Sequence, residues 1–256
     1  MTFNFRETMF RIWYWYVSTV DKNAEVIFMN YGYNEKEHEV LLDQHHEPNR
    51  YSVQLYHHLT HGIEVSGKDI VEIGCGRGGG LNYITQTFAP KTALGIDLEE
   101  RAVKFSNKFY KIDNLKFKQG DAQNLSLDSN SCDIVFNVES SHRYPDFKSF
   151  LKEVHRILRP GGHFLITDFR YNHEFEQFQE DIKKSGFSVV REKDINQDVV
   201  EALHLDDQRR RNLVYKLTPK FLHKIALNFA GTVGSPTFNQ FAKRDYIYYT
   251  YILKKN

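Results

Sequence analysis

Asp69-Ile70-Val71-Glu72-Ile73-Gly74-Cys75-Gly76-Arg77-Gly78-Gly79-Gly80 decides the fold. Its first half is a short apolar, β-branched run. Its second half is rich in glycine and opens an amphipathic stretch. Gly74, Gly76 and Gly79 satisfy G-x-G-x-x-G, which lets the backbone turn tightly and lets a nucleotide approach the main chain. Alone, that match is weak. Asp97 strengthens it, because it ends the next β-branched run twenty-three residues after Gly74. A carboxylate there can accept both hydroxyls of a ribose. Hydrogen bonds to a charged group are each worth about 1.5–3 kcal/mol. The competing reading is a plain strand-to-helix turn beside a surface aspartate.

Outward from this loop, short β-branched runs alternate with amphipathic stretches. The runs are 69–74, 92–97, 115–119, 133–137, 163–168, 187–193 and 246–253, with helices expected at 78–88, 99–110 and 146–158. Such alternation predicts an α/β fold with a parallel sheet and right-handed crossovers. The stretch between the last two runs is too long and too apolar for a loop, so 195–245 reads as an inserted helical cap. Before the core, 50–61 reads as a helix, 30–33 as a turn, and 9–17 as a buried or pocket-covering helix. The expected organisation is one domain: an N-terminal segment 1–68 covering the site, a core 69–194, the cap 195–245 and a last strand 246–256.

The chain has 256 residues, enough for a substantial core, and 41% hydrophobic with 26% charged residues is globular rather than disordered. Lysine plus arginine (34) nearly cancels aspartate plus glutamate (33), which argues against gripping a phosphate backbone; no nucleic-acid partner is expected. Cys75 and Cys132 cannot form a disulfide framework, so a reducing, cytoplasmic setting is the expectation. No secretory leader and no run near the roughly 18 apolar residues needed to span a bilayer are visible.

Further motifs follow in order. Gly120-Asp121-Ala122 ends the third run, where a carboxylate can accept an adenine amine. The fourth run leads into Asn137-Val138-Glu139-Ser140-Ser141-His142. Leu158-Arg159-Pro160-Gly161-Gly162 reads as a tight turn feeding the fifth strand.

With these four motifs in ordered spacing over 69–170, the chain resembles the class I S-adenosylmethionine-dependent methyltransferases. The resemblance implies a Rossmann-like, doubly wound, seven-stranded sheet, mostly parallel with an antiparallel last strand, and S-adenosyl-L-methionine as cofactor with S-adenosyl-L-homocysteine as product. It assigns Glu72, Gly74, Cys75, Gly76 and Gly78 to the cofactor loop and Asp97 to the ribose. Leu98, Asp121 and Ala122 go to the adenine, Asn137 and Val138 to the methionyl group, and Tyr33 to closure over the cofactor. Glu47-Pro48-Asn49-Arg50, Cys75–Gly80, His142-Arg143-Tyr144-Pro145-Asp146-Phe147 and Ile195–Val200 are similar to the phthiotriolone and phenolphthiotriolone dimycocerosate O-methyltransferases. Those act on the hydroxyl of a long lipid-like polyketide.

Methyl transfer to a hydroxyl needs alignment and a base, which contribute effective molarities of about 10⁵–10⁸ M and roughly 10²–10⁴-fold respectively. Histidine stands at this motif position in related O-methyltransferases, so His142 is the candidate base. Asp168, ending the fifth strand, is the candidate to orient it or touch the acceptor. The bland readings are a loop histidine and a helix-capping acid. The expected acceptor is small and apolar. C-methylation of a terpenoid or sterol-like compound, N-methylation of a small amine, and a non-catalytic cofactor-binding module stay open, as does a homodimer. No metal is expected, although His57 and His61 have i, i+4 spacing. Arg209-Arg210-Arg211 reads as a solvated helix face, with contact to an anionic acceptor as the alternative.

Overall fold

A computed structural model describes Asp21, residues 24–36 and residues 40–256; the helix expected at 9–17 lies outside the described residues. Seven strands form one sheet: β1 Asp69–Ile73, β2 Thr92–Asp97, β3 Leu115–Gln119, β4 Cys132–Val138, β5 Leu158–Tyr171, β6 Phe187–Asp194 and β7 Tyr246–Lys255. Their order is β3-β2-β1-β4-β5-β7-β6. Pairs among β1 to β5 are parallel, and β7 runs antiparallel to both neighbours. The chain winds outward from β1 to β3, then returns to β4 on the other side. Crossovers leaving in opposite directions open a crevice at the carboxyl ends of β1 and β4, where ligands of such folds bind.

Burial on both faces explains the β-branched runs. In β4, Ile134 and Phe136 point into the cluster holding Leu55, Leu59 and Leu81, whereas Val135 points into the one holding Phe150, Val154 and Phe164. The period of two sends alternate residues to opposite layers.

The helices α1 Arg50–Thr60, α2 Gly79–Phe88, α3 Glu100–Phe109 and α4 Phe147–Ile157 fall where their periodicity places them. Asp146 caps α4 by accepting from the Ser149 amide at 3.0 Å. A fifth helix, α5 Asn172–Lys183, escaped the sequence reading. Its buried residues are only Phe178, Asp181 and Ile182, set in a strongly polar run. The expected turn at 158–162 is corrected too. Those residues belong to β5, as a bulge: Cys132 pairs with Leu158 and Ile134 with His163, so Gly161, at φ 79°, absorbs extra chain inside the strand.

The region between β6 and β7 is helical: α6 Asn196–Leu205, α7 Asp207–Leu217, α8 His223–Phe229 and α9 Pro236–Ala242. Arg210 of α7 pins it to the N-terminal segment. Its guanidinium pairs with Asp206 (2.9 Å) and donates to the carbonyls of Tyr31 (3.0 Å), Asn30 (3.3 Å) and Ala230 (3.0 Å). Arg210 is 8% exposed, so the solvated reading is corrected for this residue. Arg209 and Arg211 pair with Asp206 and Asp207. Farther back along the segment, Asp21 meets Arg77 of the glycine loop at 3.1 Å, and that guanidinium lies 3.8 Å over the Phe105 ring.

Removing one partner of a buried ionic cluster strands the other groups. Arg210→Ala is therefore expected to cost about 3 kcal/mol in urea unfolding. It should also speed amide exchange at 30–33 and 228–232 more than in the sheet.

Candidate active site

The glycine loop leaves β1 through three residues at positive φ: Gly74 (76°), Gly76 (52°) and Gly78 (77°). At Gly74 a Cβ would also lie 2.3 Å from the Ser140 Oγ, so neither the dihedral nor the space admits a side chain. Asp97 ends β2 beside this loop. Its Oδ2 accepts from the Gly76 amide (2.7 Å) and its Oδ1 from the Glu99 amide (2.9 Å). Burial pushes its carboxyl up, and those two amides oppose the shift. Each oxygen holds one donor and keeps capacity for another.

Leu98 follows, 66% exposed, a bare apolar surface at the carboxyl end of β2. Ala122 is buried next to the adjacent β3 end. Asp121 is exposed, and its Oδ1 accepts from the Gln123 amide and side chain, closing its own turn. These features fit a nucleoside: paired acceptors for ribose hydroxyls, then an apolar shelf for a base.

Glu72 is fully buried under the loop, where Tyr56 donates to its Oε1 at 2.7 Å. Burial pushes its carboxyl up to about 8. Cys75 is buried as well, and burial raises its thiol. Asn137 is wholly buried rather than open at the strand's mouth. Its Nδ2 donates to the Ile73 carbonyl (2.8 Å), Ser140 (2.8 Å) and Tyr144 (3.1 Å), tying β4 to β1. Val138, 6% exposed, packs in the core cluster of the α1 face.

His142 lies in a 3₁₀ turn, Ser141–Arg143, after β4. Asp168, in β5, gathers five donors. These are His142 Nδ1 (2.7 Å), the His142 amide (2.9 Å), the Ser141 hydroxyl (2.6 Å), the Phe169 amide (2.8 Å) and Arg170 (3.2 Å). These contacts hold its carboxyl far below the usual carboxylate range despite complete burial. The His142 ring is pushed down by burial, with Asp168 opposing, so it is neutral near pH 7. With Nδ1 committed to Asp168, Nε2 is the nitrogen left for chemistry. The ring packs on Phe169, centroids 4.3 Å apart.

A cavity of about 140 Å³ opens beside His142, walled by residues 25–31, Phe169, α7 and the end of α8. Met29, Tyr31, Leu213, Leu217 and Phe229 make it mostly apolar; Arg143 adds positive charge, and Arg209 and Arg210 share the single carboxylate of Asp206. Glu139 is the wall residue that the sequence reading passed over. Its φ is 45°, a strained value for a side-chain-bearing residue. Its Oε1 accepts from the Tyr31 amide (2.7 Å) and the Tyr248 hydroxyl (2.6 Å). Burial pushes the carboxyl up to about 8. The only sequence signal was its place three residues before His142.

Tyr33 departs from its expected role. Its ring stacks on His58 (4.3 Å), and its hydroxyl accepts from Lys193 (3.1 Å) on β6, with β4, β5 and β7 between that strand and the glycine loop. Tyr31, two residues earlier, faces the cavity instead. His57 does not pair with His61; its Nδ1 meets the Tyr83 hydroxyl at 2.9 Å. Among the described residues, Asp43, His45 and His46 bring donor atoms within 4.8 Å of one another, on a turn where two of the three are exposed.

Residues 71–166 match the methyltransferase domain family. That match, with the relatives that follow, defines an enzyme that uses S-adenosylmethionine to transfer a methyl group. Phthiotriol/phenolphthiotriol dimycocerosates methyltransferase of Mycobacterium tuberculosis is 37% identical over 229 residues, covering 88% of this chain and 85% of that protein. The chain belongs to that methyltransferase family. Fatty-acid O-methyltransferase of Mycolicibacterium smegmatis is 39% identical over 210 residues, covering 82% and 77%. Among solved structures, the [4+2]-cyclase SpnF superposes with a TM-score of 0.72 at 15% identity, covering 97% of this chain and 95% of its own; that likeness concerns the fold alone.

Two outcomes follow. Asp97→Ala is expected to weaken S-adenosylhomocysteine binding at least about tenfold in a calorimetric titration, since it deletes charged acceptors worth about 1.5–3 kcal/mol each. Glu72 has a folded pKa raised to about 8, so its contribution is fully present below the unfolded value of 4.5 and is lost as pH rises through 8. Glu72→Gln should therefore raise the thermal midpoint by a few degrees at pH 8 and leave it unchanged near pH 4.

Proposed function

We propose that this enzyme methylates a hydroxyl oxygen on an apolar, lipid-like acceptor, with His142 as general base. The observation that carries the reading is the His142–Asp168 pair on the wall of a mostly apolar cavity. The activities for which the mycobacterial relatives are named, on dimycocerosates and on a fatty acid, support the acceptor class.

When bound, S-adenosylmethionine supplies an electrophilic methyl group on a sulfonium. The protein's part is to hold the acceptor and remove its proton. Asp168 fixes the imidazole by accepting from Nδ1, which leaves the Nε2 lone pair to take the hydroxyl proton. The resulting imidazolium sits 2.7 Å from a carboxylate that stays ionised throughout. Phe169 packs against the ring and limits its rotation. Glu139 presents a second polar group on the same wall. With its pKa raised to about 8 it carries a proton at neutral pH and can donate to an acceptor oxygen. The apolar remainder of the cavity would cover the acceptor's chain and exclude water.

A carboxylate acceptor is the second reading, favoured by Arg143 on the wall and by Arg209 and Arg210, two cations that share one carboxylate, Asp206. A carboxylate has no proton to lose, so the two readings diverge on the same variant. His142→Ala is expected to lower kcat about 10²–10⁴-fold on a long-chain alcohol or phenol, with S-adenosylhomocysteine affinity unchanged. Full activity of the variant on a fatty acid would replace the hydroxyl reading with the carboxylate one. Because the imidazole pKa lies below 6.5, wild-type kcat/KM should stay level at neutral pH and fall only in acid as His142 protonates; Asp168→Asn should shift that limb further toward acid.

A further inference from the structure

The cap carries a charge that the whole-chain balance conceals. From Gln208 to Arg244, thirty-seven residues include eight lysines and arginines and no aspartate or glutamate. Arg209 and Arg210 share Asp206, Arg211 pairs with Asp207, Arg244 with Asp194, and Lys216 with Glu25. Lys220 and Lys224 are exposed, and among the described residues no carboxylate lies within 4 Å of either. They bracket Phe221, 81% exposed, and Ile225, 38% exposed, at the junction of the 3₁₀ turn Lys220–Leu222 with α8. Over residues 220–225, exposed cations thus alternate with exposed apolar side chains: Lys220 then Phe221, Lys224 then Ile225. Tyr215, 49% exposed, adds to the apolar side. Exposed apolar side chains set beside unpaired cations suit a surface that is apolar within and anionic at its rim.

The same corner borders the cavity. Leu217 and Thr218, just before the turn, and Phe229, at the end of α8, line its wall. We infer that the Tyr215–Ile225 corner docks on an anionic lipid bilayer, Phe221 and Ile225 entering the acyl boundary while Lys220 and Lys224 meet the headgroups. Docked this way, the cavity would stand against the membrane, and an acceptor with long acyl chains would pass from bilayer to cavity without crossing water. The inference extends the lipid-acceptor reading above. Its deciding readout is vesicle binding rather than turnover, so the two can fail separately.

The full chain is sedimented with phosphatidylcholine vesicles, with and without phosphatidylglycerol, at low and high salt. The wild type should pellet with the anionic vesicles, weakly with the neutral ones, and less at high salt. A lysine near an anionic surface is worth roughly fivefold in partitioning, so K220E/K224E should lose at least about 25-fold. Phe221→Asp should lose roughly tenfold, with an unchanged thermal midpoint and unchanged methyl transfer to a water-soluble short-chain acceptor. Wild-type pelleting by both variants, or equal binding to neutral and anionic vesicles, overturns the inference. So does light scattering that shows a dimer converted to monomer by Phe221→Asp without vesicles, since the corner would then be a subunit interface.

Discussion

Everything near the site depends on one buried carboxylate. Asp168 has no exposed side-chain surface and takes donors from the 3₁₀ turn after β4, from the chain of β5 and from Arg170. An unpaired ion at that depth would neutralise itself by taking a proton. The dense set of donors prevents this, and it fixes the turn that carries His142 relative to the edge of the sheet. Ser141 shows how closely the parts are shared: its hydroxyl donates to Asp168 while its oxygen accepts from Arg170 at 2.9 Å. The orientation of the imidazole is thus a property of two adjacent strand ends rather than of a loop.

A second constraint places the walls. Glu139 and Arg210 both seize backbone of the same short segment, the carboxylate through the Tyr31 amide and the guanidinium through the carbonyls of Asn30 and Tyr31. The segment has little regular structure, and its peptide groups need partners when covered. Side chains from β4 and from the cap supply them. Cap, segment and sheet therefore meet around the cavity as one polar junction with an apolar interior.

The sequence was most informative where chemistry needs particular residues at particular spacing. Gly74, Gly76 and Gly78 adopt positive φ, and Asp97 meets the loop by hydrogen bond, as the twenty-three-residue interval implies. The central strands were legible for the same reason that they are buried: β1 and β4 are nearly continuous apolar runs with no polar face to confuse them. Legibility failed where tertiary contact overrides local pattern. Arg210 stands among three consecutive arginines, and nothing local distinguishes the one that turns inward to four partners. Tyr31 and Tyr33 flank one glycine with identical side chains, and only the direction of the chain at that turn decides which faces the cavity. Glu139 reads as an ordinary acid after a strand, because its left-handed backbone arises from packing rather than propensity. In α5 the apolar positions are too sparse for the helical period to stand out from the charges.

The division of labour between sheet and cap bears on how such an enzyme comes by its acceptor. The likeness of this fold to a cyclase shows that the architecture does not dictate the reaction. Here the glycine loop, Asp97 and the Asn137 brace lie at the carboxyl ends of β1, β2 and β4, where the buried core supports them. Most of the cavity wall instead comes from residues 25–31 and α7, which lie outside the parallel core. Substitutions at Met29, Leu213 or Leu217 would reshape that wall while leaving Asp97, Asn137 and Asp168 with their partners intact. His142 and Glu139 sit on the seam, attached to the core through β4 and exposed to whatever the cap encloses. His142 stays fixed because buried charged groups fix it, whereas the cavity's shape is set by apolar contacts that tolerate replacement.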